Sequence, residues 1–267
     1  MAPLAYDRAG NGPPLVLVHP LGADRGVWEP VLPFLAERHD CIAVDMPGFG
    51  DSPELPDETR ATAGEIAATV AATLDELEIE RAHVAGISLG GWVSLEFAKT
   101  DRCLSVTALC AAGFWRRALG PRPEVARNTA RRLLPLLGPL LRTRRGRRLT
   151  LSGPMAHPEN VPPAAALRLI RAYALSPGFD RANHEMRRDL FEGFERIDVP
   201  ITLAWADRDR SVYPPSSVPS GVRTEVLRGC GHVPTWDDPA RVAEVILRTT
   251  AGAMAQSPTG WETAAES

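Results

Sequence analysis

The sequence predicts an α/β fold in which a doubly wound, mostly parallel sheet is interrupted by a helical insertion. Short apolar runs recur along the chain, and segments with helical spacing lie between them. Strands of a parallel sheet are buried on both faces and therefore apolar throughout, and their alternation with helices is typical of doubly wound folds. The alternation stops at residue 114 and resumes near residue 197, which locates the insertion.

The core elements follow from these two kinds of spacing. The apolar runs that we interpret as strands are 15–18, 41–44, 82–85, 106–109, 201–204 and a further one near 224–227. Residues 62–77 are predicted to be helical because apolar side chains recur every three or four positions. A final helix is predicted at 239–249, with Val242, Val245 and Ile246 facing inward.

We expect a core formed by residues 1–113 and 197–253, a helical cap at 114–196 and a flexible tail at 254–267. The 267 residues are ample for a substantial core. The tail is small and polar, as frayed termini often are. In the cap, prolines punctuate Leu- and Arg-rich helical stretches, namely Pro135, Pro139, Pro154, Pro158, Pro162, Pro163 and Pro177.

Composition and charge favour an ordinary globular protein over a disordered or fibrous one. Apolar residues make up 44% of the chain, and a net charge of -3 gives no general reason to expect a nucleic-acid or membrane partner. The N-terminal residues lack the basic start and apolar run of a secretory signal. The four cysteines do not have metal-ligand spacing. We therefore expect a cytoplasmic protein with reduced thiols, of undetermined oligomeric state.

A candidate nucleophile lies between a predicted strand and a predicted helix. The turn Gly86-Ile87-Ser88-Leu89-Gly90 has the Gly-x-Ser-x-Gly spacing of a nucleophile elbow. Its glycines let neighbouring segments approach, and the Leu89 amide comes at a helix N-terminus, where it can stabilise negative charge. Three fixed residues occur by chance in roughly a tenth of chains this long, so the candidate depends on its surroundings.

A serine hydroxyl needs a base to remove its proton, and the base needs an acid that orients it. After a nucleophile elbow these residues follow in the order Ser, acid, His. Only His232 lies beyond the point where the strand pattern resumes. His157 and His184 fall in the insertion, where a solvated surface residue is the simpler interpretation.

Two carboxylates compete for the role of the acid. Asp207 and Asp209 both follow the predicted strand at 201–204. Ligands of open α/β sheets bind beyond the carboxyl ends of the strands, and Asp209 is the farther out, so we choose it. Asp207 is better explained as a turn-forming residue that accepts hydrogen bonds from nearby amides.

Taken in order, these features resemble the α/β-hydrolase superfamily, and specifically its small cap-bearing members. The matching segments are His19-Pro20-Leu21-Gly22, Asp45-Met46-Pro47-Gly48-Phe49-Gly50-Asp51-Ser52, the Ser88 turn and the loop Gly229-Cys230-Gly231-His232. The resemblance covers nearly the whole chain. It implies that Ser88 is the nucleophile, that His232 is the general base and then acid, and that Asp209 orients it. It further implies an oxyanion hole from the amides of Leu21 and Leu89, with no metal and no organic cofactor.

The chain departs from the family pattern at two positions. Ala206 stands where the family usually has a glycine before the acid, and Pro20 replaces the usual glycine after His19. Neither change removes a catalytic side chain, but Pro20 alters the expected shape of the oxyanion loop. The resemblance gives Asp45 and Ser52 structural roles.

The composition of the cap gives information about the class of substrate. Residues 115–148 contain eleven arginines and a single acidic residue, Glu124. Such a face is usually just solvated; the alternative is attraction of an anionic acyl substrate or carrier, such as a carboxylate, a coenzyme A thioester or an acyl carrier protein. Six leucines of this segment are candidates for an apolar lid, and the candidates for lining the acyl pocket are Trp92, Phe114, Trp115 and Trp236.

The sequence thus predicts a serine hydrolase that cleaves a carboxylic ester, lactone or thioester through an acyl-enzyme. Members of the superfamily that open epoxides or release halide use an aspartate at the elbow, and Ser88 argues against both. Two alternatives stay open: a cyclase or cofactor-free peroxidase acting on the same residues, and a small-molecule-binding protein on a hydrolase scaffold. Fold resemblance alone does not decide among them.

Overall fold

A seven-stranded sheet forms the centre of the computed structural model, which describes residues 3–120, 125–215 and 217–256. The strands are β1 (Tyr6–Ala9), β2 (Pro14–Val18), β3 (Asp40–Val44), β4 (Ala82–Ile87), β5 (Cys103–Leu109), β6 (Ile201–Ala206) and β7 (Arg223–Leu227). Their order is β1-β3-β2-β4-β5-β6-β7, and every neighbouring pair is parallel except β1 with β3. The predicted fold class is confirmed.

Strand β1 is the element that the apolar pattern missed. It reads Tyr-Asp-Arg-Ala, it is largely exposed, and it pairs antiparallel with β3 at the edge of the sheet. An edge strand with solvent on its outer side needs no apolar run, so the criterion that found the buried strands had nothing to detect.

Helices cover both faces of the sheet because successive side chains of each strand point to opposite sides. Val16 and Val18 of β2 pack into one apolar cluster with α2 (Ala63–Glu76) and α3 (Leu89–Phe97), whereas Leu15 and Leu17 pack into another. The second cluster includes residues of α1 (Leu32–Leu35) and α8 (Pro239–Gln256). The predicted inward residues of α8 are confirmed, since Val242, Val245 and Ile246 are all buried.

The segment between β5 and β6 contains four helices: α4 (Val125–Leu141), α5 (Arg144–Leu151), α6 (Pro163–Leu175) and α7 (Phe179–Arg188). Helix α4 packs against α6 and runs through Pro135 and Pro139, at which we expected an interruption. Both prolines are exposed, so water can reach the carbonyls that lose a hydrogen-bond donor there.

The C-terminal boundary also differs from the expectation. Helix α8 runs to Gln256, so the predicted tail begins inside a helix, and residues 257–267 lie outside the described residues. In the part of the chain that the structure describes, no helix is both long and apolar enough to cross a membrane.

Candidate active site

Ser88 lies at the tip of the turn between β4 and α3. Its φ of 56° and ψ of -116° form a backbone conformation that residues other than glycine rarely adopt. The Ser88 amide donates to the Leu109 carbonyl at 2.9 Å, and the Ser88 carbonyl accepts from the amide of Ala112 at 3.0 Å. The strained turn is therefore fixed by hydrogen bonds to the chain at the end of β5.

The glycines of the elbow are required by close approach. A Cβ atom on Gly86 would lie 2.1 Å from the Gly90 carbonyl oxygen, and one on Gly90 would lie 2.3 Å from the Val18 carbonyl oxygen. Both distances are far shorter than van der Waals contact, and both neighbours are backbone atoms that cannot rotate away. The Gly-x-Ser-x-Gly spacing is thus dictated by the packing of the turn on itself and on β2.

Asp209 and His232 come together beyond the ends of β6 and β7. His232 Nδ1 lies 2.7 Å from Asp209 Oδ2, and the Asp209 side chain is almost completely buried. The other oxygen, Oδ1, accepts from the amides of Ser211 at 2.6 Å and Val212 at 3.3 Å. With Nδ1–H donating to the carboxylate, Nε2 of His232 carries the free lone pair of a base.

The charge state of Asp209 results from opposing effects. Burial by itself would raise the pKa of Asp209, but the hydrogen bond and the electrostatic attraction between His232 and the carboxylate, together with the amides of Ser211 and Val212, lower that pKa below its ordinary value. Asp209 is therefore ionised at neutral pH, as a carboxylate that orients a histidine must be.

Asp207 has a different partner. Its side chain is exposed, and Oδ1 accepts from the amide of Gly229 at 2.7 Å. Gly229 is in the loop that leads to His232, so Asp207 closes that loop and does not touch the imidazole ring. Of the two carboxylates that compete for the role of acid, the structure brings Asp209 to His232.

The amides of Leu21 and Leu89 are both available to a ligand, since neither donates to any other described residue. The loop before Leu21 is fixed by His19, which is fully buried. Its Nδ1 contacts the Pro20 carbonyl at 2.9 Å and its Nε2 accepts from the Met46 amide at 2.9 Å. Burial lowers the pKa of His19, so the ring is neutral and can make both bonds.

Asp45 and Ser52 lie near Arg25, which follows a few residues after the loop that contains Leu21. Asp45 is buried, accepts from the Arg25 amide at 2.7 Å and forms an ion pair with the Arg25 side chain. The Ser52 hydroxyl donates to the Asp45 carbonyl at 2.8 Å. Both side chains are occupied by the protein itself, which agrees with the structural roles expected of them.

Ser88 and His232 line one cavity of about 270 Å³. Cap residues form much of its remaining wall. The other lining residues are Leu21, Ala112, Trp115, Leu119, Ala126, Arg127, Tyr173, Phe179, Asn183, Met186, Arg187, Ser211 and Val212. Most of these residues could not be predicted from the sequence, because nothing in an amphipathic helix shows which of its residues face a cavity and which face the core.

Of the aromatic residues expected to line the acyl pocket, only Trp115 contacts this cavity. Trp92 is buried in α3 and its indole N–H donates to Glu96 Oε1 at 3.0 Å. The Phe114 ring packs against Phe194 and the aromatic side chains around it in the core. The third, Trp236, packs against the apolar cluster on the α8 side of the sheet. Trp92 and Phe114 are thus not among the residues that line this cavity, and both side chains pack inside the protein.

Two residues near the pair of Asp209 and His232 were not anticipated. Cys110 follows β5, is fully buried with a φ of 45°, and its Sγ lies within 4.8 Å of ligand atoms of Asp209 and His232. These three side chains form a group of metal-binding size, but Asp209 and His232 already bond to each other. Burial raises the pKa of the Cys110 thiol well above its ordinary value. No sequence signal marks Cys110, because its proximity depends on the pairing of β5 with β6.

The second residue that was not anticipated is Asp237. Its Oδ2 accepts from the amides of Gly231 at 2.7 Å and Ala156 at 3.0 Å, and its Oδ1 accepts from the His157 amide at 2.6 Å. One carboxylate therefore joins the loop that carries His232 to the chain between α5 and α6.

The cap arginines have several different environments. Arg127 is buried beside the cavity, where it pairs with Asp180 at 2.5 Å and donates to the Ser176 carbonyl at 2.7 Å. Arg147 is also buried and donates to backbone carbonyls. Most of the other described arginines of this segment are exposed to solvent, and Arg122 lies outside the described residues. The solvated interpretation therefore applies to most of them, but not to these two.

Comparison with known proteins places the chain in a family. A family model described as the alpha/beta hydrolase family matches residues 15–245, and the chain belongs to that family. The chain is 32% identical to the epoxide hydrolase EphH of Mycobacterium tuberculosis over 191 residues, which cover 65% of this chain and 87% of that protein.

Two further similarities extend over most of the chain. It is 33% identical over 248 residues to the dihydrolipoyllysine-residue acetyltransferase component of the acetoin cleaving system of Pseudomonas putida; the match covers 89% of this chain but only 63% of that longer protein. The crystal structure of a membrane phospholipase A, described as a bacterial virulence factor, superposes with a TM-score of 0.73 at 26% identity, covering 94% of this chain and 83% of the other.

Proposed function

We propose that this α/β-hydrolase family member cleaves a carboxylic ester, lactone or thioester through a serine acyl-enzyme. The observation that carries the proposal is the 2.7 Å contact between Asp209 and His232 beside a cavity that Ser88 also lines. The pairing supplies an oriented base, and the elbow supplies a hydroxyl on a turn with an unpaired amide beside it. Together these are the parts that acyl transfer requires.

In the proposed acylation step the Ser88 hydroxyl attacks the substrate carbonyl carbon. His232 Nε2 accepts the hydroxyl proton, and the imidazolium is stabilised by the ionised Asp209. The developing oxyanion accepts hydrogen bonds from the amides of Leu21 and Leu89, and one such donor typically contributes about 10² to 10³ in rate. His232 then donates its proton to the departing alkoxide or thiolate, which leaves an acyl ester on Ser88.

In the deacylation step a water molecule attacks the acyl ester. His232 removes one proton from this water, the same amides stabilise the second oxyanion, and the proton returns to Ser88 as the acid departs. The product is a carboxylic acid, and the free enzyme is restored. Each step uses side chains and amides of this chain alone.

The similarity to an epoxide hydrolase does not extend to its chemistry in this proposal. Epoxide opening in the superfamily uses an aspartate at the elbow, whereas this chain has Ser88 in that position. A serine that attacks a carbonyl gives an acyl-enzyme that water can hydrolyse, but a serine that opened an epoxide would form a stable ether. The resemblance to a phospholipase A agrees better with ester cleavage.

A fluorophosphonate probe tests the activated serine directly. We expect the wild-type protein to be labelled and Ser88→Ala not to be, with Ser152→Ala as a matched control because that serine is exposed in the cap. Hydrolysis of short p-nitrophenyl esters should disappear in Ser88→Ala and in His232→Ala. Equal labelling of wild type and Ser88→Ala would contradict the proposal.

Turnover of graded acyl esters, lactones and thioesters distinguishes the remaining functions. A binding protein on this scaffold would bind such compounds without releasing product. A cyclase or peroxidase would convert a substrate without consuming water. The incorporation of isotope from labelled water into the acid product therefore distinguishes a hydrolase from these enzymes. We expect incorporation of one oxygen per turnover.

A further inference from the structure

The apolar stripe of helix α4 is only partly covered by the rest of the protein. Leu137 and Leu141 face inward and are buried in the apolar cluster of the cap. Leu133, Leu136 and Leu140 recur at intervals of three and four residues and are all exposed, Leu136 by 70%. An apolar stripe on a helix normally faces the core, so the exposed part of this stripe lacks the cover that its composition indicates.

The adjoining helix α5 continues this pattern. Its Leu149 is 77% exposed, the largest exposure of any large apolar side chain in the described residues. We use the term outer cap face for the exposed leucines of both helices and the exposed arginines between and beside them, which are Leu133, Leu136, Leu140, Leu149, Arg132, Arg142, Arg144 and Arg145.

The outer cap face has charge of one sign. Residues 125–158 contain eight arginines and no acidic residue. Arg127 and Arg147 are buried and Arg148 pairs with Glu159 at 2.7 Å, whereas the four arginines of the outer cap face pair with no described residue. Four exposed arginines without an acidic partner and four exposed leucines, all within residues 132–149, are the composition of an interfacial amphipathic surface.

The same helix also borders the active-site cavity. Ala126 and Arg127, in the first turn of α4, are among the residues that line it. A surface that covered the outward side of α4 would therefore lie close to the wall of the cavity that receives substrate.

We propose that the outer cap face docks on the surface of an anionic lipid bilayer. The arginines would pair with lipid phosphates, and the leucines would insert among the acyl chains at the interface. A bilayer adapts to the convex surface of a helix, whereas a folded protein partner would need a matching groove. The expectation of no membrane partner was based on the net charge of the whole chain. At physiological salt, however, a charge is screened beyond about 8 Å, so the arginines of this face determine its attraction to a bilayer.

Sedimentation with lipid vesicles tests the docking surface. We expect the full chain to bind vesicles of phosphatidylcholine containing phosphatidylglycerol, to bind pure phosphatidylcholine far less, and to be released by high salt. Removal of two charges in Arg144→Ala/Arg145→Ala should weaken binding about thirtyfold, and Leu136→Asp should weaken it at least about tenfold. The Ser88→Ala protein should bind like wild type, which separates this test from that of the hydrolase activity.

Matched controls lie on other surfaces. Met254→Asp adds a charge at an exposed apolar position of α8, and Arg38→Ala removes an exposed cation far along the chain from the cap. Both should bind vesicles like wild type. Equal binding to both vesicle types, or unchanged binding of the outer-face variants, would overturn the proposal. So would binding to an acidic acyl carrier protein without vesicle binding, or a dimer in sedimentation velocity that Leu136→Asp dissociates.

Discussion

Two regions of the molecule differ in which side chains they bury and which they expose. These regions are the loop that carries His232 and the outer cap face. Around His232, charged side chains are buried or half-buried and each has several partners: Asp209 accepts from His232 and two amides, and Asp237 accepts from three amides. On the outer cap face, large apolar side chains such as Leu136 are exposed and have no cover.

The contrast separates two kinds of information in the structure. A buried polar group is costly unless its hydrogen bonds are satisfied, so a satisfied network fixes one arrangement of atoms and hence one chemistry. An exposed apolar stripe costs little in the isolated chain but gains free energy when something covers it. The first region therefore indicates a reaction, and the second indicates a partner.

The largest effect is expected where a satisfied network orients the base. Asp209→Asn should lower kcat by about 10³ to 10⁴, because the amide no longer holds His232 in the tautomer with a free Nε2. Steady-state hydrolysis of p-nitrophenyl acetate measures this. Asp207→Asn is the control and should change kcat less than about threefold, since its partner is the Gly229 amide. A larger effect of Asp207→Asn than of Asp209→Asn would reverse the assignment of the acid.

Substitutions of the buried and of the exposed leucines of α4 should differ in their effect on the free energy of unfolding. Leu137 is buried, so Leu137→Ala should lower the free energy of unfolding by about 2 to 4 kcal/mol through lost burial and a cavity. Leu136→Ala, one residue away and 70% exposed, should change it by less than about 0.5 kcal/mol. Urea denaturation of both variants checks the difference. Equal losses would show that the outer stripe is covered in the protein in solution.

A buried histidine on β4 should make stability fall in acid. Burial lowers the pKa of His83 from the ordinary 6.5 to about 4, and Nε2 has no partner among the described residues. As the pH falls from 6.5 towards 4 the unfolded chain takes up this proton and the folded one does not, so up to about 3 kcal/mol is lost across that window. In wild type the urea midpoint should be lower at pH 5 than at pH 7, and this difference should be smaller in His83→Gln. A difference of the same size in both proteins would exclude His83 as the cause.

The smallest effect concerns the link between the cap and the His232 loop. Asp237→Asn replaces one acceptor oxygen by an NH₂ group facing backbone N–H groups, so kcat should fall about tenfold while the binding of substrate changes less. Asp238→Asn is the matched control, because Asp238 caps α8 through the Arg241 amide at 3.0 Å and does not touch the loop. A kcat that falls equally in both variants would mean that helix capping, and not the loop, is responsible.

Much of the fold could be predicted because buried parallel strands and amphipathic helices have distinct periodicities. The six predicted strands and the helices after Thr62 and Pro239 are present, whereas the polar edge strand β1 and the passage of α4 through Pro135 were missed. Both failures have one cause: solvent satisfies the backbone at those positions, so the sequence need not carry the usual signal.

The site was predictable to the extent that its residues follow one another in a fixed order along the chain. The elbow around Ser88 has a spacing imposed by local packing, and the loops of Asp209 and His232 follow strands in the expected order. Cys110 and Asp237 could not be found in this way. They reach the site only through the pairing of β5 with β6 and the contact between cap and core, which no local pattern records.

By itself, the sequence determined the α/β class, the elbow and the candidate nucleophile and base, because these depend on periodicity, on glycine spacing and on chain order. Only the tertiary structure decided which of Asp207 and Asp209 meets His232, which aromatic side chain lines the cavity, and which cap arginines are free. Those choices depend on where side chains distant in sequence are placed by packing. Chain order alone cannot specify them, because residues two positions apart in a loop can face entirely different partners.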